Sequence, residues 1–277
     1  MLRAAVLGAV QGLTEFIPIS SSAHLVLVPF LLGWAVPGLA FDVAVHIGTA
    51  VAVVVYFWRD IGRILLGATR TVLGRGDAGD RTFARLLLLL ALASIPAAIA
   101  GFFLENTFES LFTTSGDVRR IGALAVGLFL LVTAALILVA EWAYARRERA
   151  TSPRDVGTAD AVVVGLLQAT AIAPGISRSG ATISGGMLRG LTREAAARFS
   201  FLLSLPAIIG AAIISLPDLP ANADLGPMLV GTGTSAVTGF AAIAFLLRYL
   251  RTRTMRPFAI YCLLLAAVAI GYWFQVK

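Results

Sequence analysis

Within an otherwise apolar chain, residues 11–24 read QGLTEFIPISSSAH and residues 174–186 read PGISRSGATISGG. Gln11 and Glu15 are four apart and share one face of a helix, where their oxygens can hold a hard divalent cation, Mg²⁺ or Ca²⁺, and bridge it to phosphate. Pro18 then breaks that helix. Ser20, Ser21 and Ser22 supply N-cap oxygens for a new helix that carries His24. His24 follows Ser21 by three residues, within reach to act as general acid or base for a serine nucleophile or for a water; spacing does not decide between them. In the second stretch the glycines, Gly175 among them, permit close backbone approach, and Ser177 or Ser179 can cap the helix that follows. Arg178 brings a planar fork of donors suited to phosphate oxygens. Two helix N-termini and an arginine, set opposite one another, form a cradle for a phosphate or a diphosphate.

Plainer readings stand beside these. Gln11 and Glu15 can be a hydrogen-bonded pair that glues helices, and Arg178 can be no more than the counter-charge of Glu15. His46, in FDVAVHIGTA, is a lone histidine early in an apolar helix, more often a helix contact than a catalyst; neither it nor Asp42, one turn earlier, is assigned a catalytic role.

What must position these groups is a membrane protein. The chain is 58% hydrophobic and 13% charged with a mean hydropathy of +0.89, too apolar for a soluble domain of 277 residues. The net charge of +7 does not indicate nucleic acid, because the arginines lie in short segments between apolar runs, where they orient helices. A single cysteine, Cys262, excludes an intrachain disulfide and a cysteine metal site. The first ten residues superficially resemble a signal peptide but run into the polar corner without a cleavage-type site, and are read as mature protein.

Six segments reach the roughly 20 residues that a crossing needs: about 39–58, 84–104, 119–141, 194–216, 227–249 and 257–275. Two more apolar stretches, about 4–33 and 160–189, are each split into halves too short to span, and are read as re-entrant hairpins. The order is hairpin and three spans, twice over. The hairpins echo each other, Gly8 and Gln11 matching Gly165 and Gln168, and Pro18 and Ser20 matching Pro174 and Ser177 after a one-residue gap. Three spans per half turn the second half upside down, so the expected fold is a single all-α polytopic membrane domain over 1–277, an inverted-topology repeat of about 1–145 and 158–277. Arginines agree: those of segments 59–85, 142–160, 189–198 and 248–256 all fall on one side, the cytoplasm by the positive-inside rule. Arg3, Arg119, Arg120 and Lys277 fall on the other. The first hairpin then opens outward and the second toward the cytoplasm. Segments 70–82, 146–158 and 216–226 read as solvated loops.

The two motifs resemble those of bacterial undecaprenyl-diphosphatases, the bacitracin-resistance protein family: QGLTEFIPISSSAH its first, (E/Q)xxxE-bearing motif and PGISRSGATISGG its second, PGxSRSGAT-type motif. FDVAVHIGT, FSFLLSLPA at 199–207 and RPFAIY at 256–261 extend the resemblance over essentially the whole chain. It implies an enzyme of the bacterial inner membrane, with its site open to the outer face. The reaction implied is hydrolysis of undecaprenyl diphosphate to the monophosphate and inorganic phosphate, which recycles the carrier lipid for peptidoglycan synthesis. It associates Glu15 and Gln11 with metal and catalysis, Ser21 and His24 with attack or proton transfer, and Arg178, with Ser177, Ser179, Ser22 and Gly175 around it, with the diphosphate. Gln11 stands where some members have Glu; an amide is the weaker cation ligand, so a two-carboxylate mechanism is in doubt. Partners are then the polyprenyl diphosphate and the bilayer, with a homodimer left open.

A transporter or flippase for an anionic lipid is the alternative, since broken helices in an inverted repeat also serve transport. Against it stands the concentration of Ser, His, Glu and Arg at the crossing. A phosphatidate-type phosphatase fits poorly: that pattern has a histidine six residues after the arginine of an SR pair, and here that position is Ser184.

Overall fold

The computed structural model describes residues 1–35, 37–113, 118–146, 156–220 and 224–275, apart from the side chains of 105–113, 118–121, 123 and 275. The described chain is helical throughout, with no strand: α1 (Leu2–Phe16), α2 (Ser21–Leu31), α3 (Leu39–Tyr56), α4 (Trp58–Val72), α5 (Ala78–Thr113), α6 (Val118–Ala145), α7 (Thr158–Thr170), α8 (Arg178–Leu188), α9 (Arg193–Ser215), α10 (Leu225–Leu250) and α11 (Arg256–Gln275). Six of them, α3, α5, α6, α9, α10 and α11, are long and apolar enough to cross a membrane, and they are the six segments expected from sequence. The pairs α1–α2 and α7–α8 have 15, 11, 13 and 11 residues, each short of the roughly 20 needed to span.

Two expectations need correction. Residues 58–72 form α4, an amphipathic helix that buries only Ile64 and Gly67 and exposes its arginines; the arginines had marked this stretch merely as a connecting segment. The expected loop 70–82 shrinks to 73–77, because α5 begins at Ala78. Asp77 accepts from the Asp80 amide (2.7 Å) and Asp80 from the Asp77 amide (3.3 Å), a reciprocal cap that starts the helix six residues early. Most of the 146–158 segment, with Arg147, Arg149 and Arg154, lies outside the described residues, as do Lys277 and the side chains of Arg119 and Arg120.

Small residues decide which helices touch. α1 runs along α10, where a Cβ on Gly8 or Gly12 would collide with the α10 backbone at Gly231 and Ser235. α7 runs along α5 in the same manner, Gly165 abutting the backbone of Ala93. This close approach is the small-xxx-small device of helices in lipid, where dispersion rather than hydrophobicity drives association. α6 packs antiparallel to α11, and α3 lies against both α10 and α9.

The helix ends sort into two sets. At one end ion pairs join Asp60 to Arg198 (3.8 Å), Asp160 to Arg189 (2.8 Å) and Glu194 to Arg251 (3.1 Å). At the other, Met1 touches Gly226, Arg3 lies over Trp34 and Phe30 packs on Tyr272. The strongest tie at the arginine-rich end is Glu141 of α6, which is 1% exposed and accepts two bonds from Arg193 (2.8 and 2.6 Å) and one from the Met255 amide (2.7 Å). One carboxylate thus fastens α6, α9 and the turn before α11. Glu141→Ala strands the arginine and the amide together, and is expected to lower the stability of the purified protein by about 3 kcal/mol, read as a fall in its thermal unfolding midpoint in detergent; an unchanged midpoint would refute this role.

Candidate active site

The corner between α1 and α2 is shaped by a break and a cap. Pro18 has no amide hydrogen to continue α1, which ends at Phe16. Ser20 then turns the chain with φ of +66°, the only non-glycine residue among those described in the left-handed region, and accepts the Ala23 amide as N-cap of α2 (3.4 Å). Left-handed backbone at a serine costs free energy that the surrounding bonds must offset, a feature common at functional corners. The second corner is built similarly. Gly175, with φ of +110°, turns against the α6 backbone at Val126, and Ser177 caps α8 by accepting the Gly180 amide (3.1 Å).

The two corners meet. The Gly175 amide donates to Ser22 Oγ (3.3 Å), and Ser179 Oγ donates to the Ile17 carbonyl (3.4 Å). Arg178 forms an ion pair with Glu15 Oε1 and donates a second bond to the Ser204 carbonyl of α9 (3.2 Å). Residues 163 positions apart therefore share one site. The other oxygen of Glu15, Oε2, accepts from Ser21 Oγ at 2.6 Å and from Gln11 Nε2 at 3.0 Å. The counter-charge reading of Arg178 is thus present as a contact, whereas the Gln11–Glu15 bond lies within α1 and joins no second helix. A cavity of about 260 Å³ opens here, lined by Glu15, Ser21, Ser22, Ser177 and Arg178. The first amides of α2 and α8 lack partners one turn earlier, as in any helix, and both helices begin at this cavity.

His24 is elsewhere. Its Nδ1–H donates to the Ser20 carbonyl (2.7 Å), which fixes the tautomer and leaves Nε2 to accept from Tyr261 Oη (2.7 Å), with the two rings stacked at 5.6 Å. Both ring nitrogens are occupied, neither by Ser21, and His24 is not among the residues lining the cavity. It holds the strained Ser20 carbonyl and links α2 to α11. The imidazole that does line the cavity is His46, left without a catalytic role by the sequence. Its Nδ1–H donates to the Asp42 carbonyl (2.8 Å), so Nε2 faces inward, 3.9 Å from Glu15 Oε2. Tyr261 and Thr133, whose Oγ1 donates to the Gly175 carbonyl (3.2 Å) and accepts the Ser177 amide (2.9 Å), were not legible as site residues. They lie inside unbroken apolar spans, and only the fold brings them to the corners.

For a cation the donor set is small. Gln11 is fully buried and does not line the cavity, and its Oε1 has no hydrogen-bond partner. Among the described residues, however, no three His, Cys, Asp or Glu side chains cluster, and Glu15 already answers a guanidinium. A hard divalent cation takes six or more oxygens. One carboxylate and one amide oxygen cannot supply them, so the site suits an ion that arrives with diphosphate oxygens rather than one held by the protein alone.

The model of the family described as bacitracin resistance protein BacA matches residues 4–268. Among curated relatives, the undecaprenyl-diphosphatase of Moorella thermoacetica is 43% identical over 279 residues, covering 99% of each chain. That of Pelotomaculum thermopropionicum is 41% identical over 98% of this chain and 96% of its own, and that of Geobacter sulfurreducens 42% over 99% and 98%. A match of this extent, on a chain whose two motifs meet in one polar cavity, means that the protein belongs to the bacitracin resistance protein BacA family.

Proposed function

We infer that the chain is a multi-pass membrane phosphatase that hydrolyses undecaprenyl diphosphate to undecaprenyl phosphate and inorganic phosphate, recycling the carrier lipid and conferring bacitracin resistance. The observation that carries this reading is the relay Ser21–Glu15–Arg178: a hydroxyl hydrogen-bonded to a carboxylate, itself paired with a phosphate-gripping side chain, where two helices begin. Anion binding alone would not require the serine and its base.

The residues act as follows. The diphosphate draws the Arg178 fork from Glu15 onto its own oxygens, a better match in charge and shape. Glu15 is then free to take the Ser21 proton as Oγ attacks the terminal phosphorus. The Oγ–P bond forms, the bond to the bridging oxygen breaks, and the lipid monophosphate leaves. The α2 and α8 amides and Arg178 stabilise charge gathering on the equatorial oxygens. Water, giving a proton to His46 Nε2, next attacks the phosphoserine; as the P–Oγ bond breaks Glu15 returns its proton to Ser21, and His46 releases the water's proton to the departing phosphate. Glu15 and Gln11 would hold a Mg²⁺ or Ca²⁺ brought with the substrate, and such an ion would neutralise diphosphate charge.

An inverted repeat explains how the corners come to face each other. It is supported by matched glycines in matched roles, Gly8 against α10 and Gly165 against α5, and by the α6–α11 contact that such an axis would map onto itself. The arginine-rich end is then cytoplasmic, both hairpins are re-entrant, and the site opens to the outer face. All its described side chains come from one chain, so a homodimer is compatible with the reading but not needed for it.

Purified protein in detergent, given undecaprenyl diphosphate with Mg²⁺ or Ca²⁺, is expected to release one phosphate per lipid and leave the monophosphate. Folded protein that releases none under either ion, yet moves the lipid across a vesicle membrane, would make it a flippase instead.

A further inference from the structure

Beside the catalytic cavity lies a second one, of about 320 Å³, walled by α5, the end of α7 and α9. The two share Ala171, Arg178, Ala207 and Ala211 and so communicate past small side chains. The second is apolar but for Ser94, Gln168 and the edge of Arg178, and Ser94 spends its hydroxyl on the Leu90 carbonyl of its own helix. Gln168 is the anomaly. It is 3% exposed, yet neither its Nε2 nor its Oε1 has a hydrogen-bond partner. Gln11, its counterpart in the first corner, donates to Glu15 four residues on. Four residues after Gln168 stands Ile172, which lines the same cavity and offers nothing. A buried amide left unpaired costs about 1–3 kcal/mol for each group, which points to a partner supplied by a ligand.

Resting on the function proposed above, we propose that this cavity seats the first isoprene units of the substrate and that Gln168 Nε2 donates to the lipid-linked phosphate. Ser21 attacks the terminal phosphorus in the first cavity, so the ester end must leave it past Arg178, and Gln168 is the polar group on that side. A larger apolar groove, about 680 Å³, runs between α3, α9 and α10 on the other flank of α9, but it meets the catalytic cavity only at Ile208 and has almost no polar lining. The amide makes the difference. It recognises a phosphate at the mouth of an apolar slot, which is the chemistry of a prenyl diphosphate.

Phosphate release is to be measured with a C15 and a C5 allylic diphosphate as probes. Gln168→Leu, which keeps the volume and removes the amide, is expected to raise KM about tenfold for both, the loss of one hydrogen bond to a charged group, with kcat within about twofold. Gly210→Leu fills the slot where a Cβ meets no atom within 4 Å, so the fold tolerates it; KM is expected to rise for the C15 probe and not for the C5. Ile209→Trp crowds the other groove and is expected to change neither. An unchanged KM in Gln168→Leu, equal effects of Gly210→Leu on both probes, or a rise confined to Ile209→Trp would each overturn the assignment. Wild-type protein that cleaves neither probe nor undecaprenyl diphosphate would instead refute the phosphatase reading, so the two failures are separable.

Discussion

Arg178→Ala is expected to lower kcat/KM for undecaprenyl diphosphate by about a thousandfold, between the loss of one oxyanion donor and the loss of a charged arginine clamp. Two consequences of the change must be told apart. The diphosphate loses its cation, and Glu15, whose side chain is 6% exposed, loses its counter-charge and becomes a buried unpaired anion. The second effect lowers stability; the first need not. Arg178→Ala should therefore unfold at a lower temperature than wild type, and adding Glu15→Gln should recover the midpoint without recovering turnover. Arg178→Lys separates charge from geometry. An ammonium lacks the two-pronged fork that now spans Glu15 and the Ser204 carbonyl, and a loss of some ten- to a hundredfold is expected. Phosphate release within tenfold of wild type in Arg178→Ala, from folded protein, would leave Arg178 a structural counter-ion only.

Much of this architecture was legible because apolar length and its interruptions are one-dimensional signals. Five of the six long helices begin and end within a few residues of where the composition changes, and Pro18, Ser20, Gly175 and Ser177 mark both corners in the order that capping and chain reversal demand. The start of α5 is not legible because Asp77 and Asp80 have the composition of a loop and form a reciprocal cap only in the folded chain, and α4 is not because its arginines outnumber the sparse apolar residues that rest on α5. The site divides along the same line. Glu15, Ser21, Ser22, Ser177 and Arg178 are anomalies in apolar sequence and could be found by that alone. The roles of the two histidines could not. His24 is local to Ser21 in sequence, but its ring is claimed by the Ser20 carbonyl and by Tyr261, 237 residues away. His46 faces Glu15 because α3 packs against both α1 and α10, information carried by the small residues of those helices and not by its own neighbourhood. Glu141 shows the same limit: at the end of a span it looks like an ordinary interfacial acid, and becomes a junction only when Arg193 and Met255 arrive.

The proposed nucleophile, Ser21, is where the geometry makes its sharpest demand. Ser21 Oγ lies 2.6 Å from Glu15 Oε2, a distance suited to transferring the hydroxyl proton as attack begins. Ser21→Ala removes the attacking oxygen and leaves the cap at Ser20, the Ser22–Gly175 bond and the ion pair intact, so folding should be preserved while turnover falls by about ten-thousandfold or more. Ser22→Ala, which touches only the bond to Gly175 and the contact with Ser20, should stay within about tenfold. Glu15→Gln keeps a hydrogen-bond acceptor beside Ser21 but no base; its loss should approach that of Ser21→Ala and should not be restored by added metal. A water attacking directly would reverse the pattern, since Glu15 would then serve the water and Ser21→Ala would cost little. Labelled terminal phosphate decides between them. Rapid acid quenching of wild type should find label on Ser21, and His46→Gln, which slows only the attack of water on that phosphoserine, should accumulate more of it while the first burst of lipid monophosphate stays fast. Full turnover in Ser21→Ala with no labelled serine would remove the covalent step and leave Glu15 as the base for water.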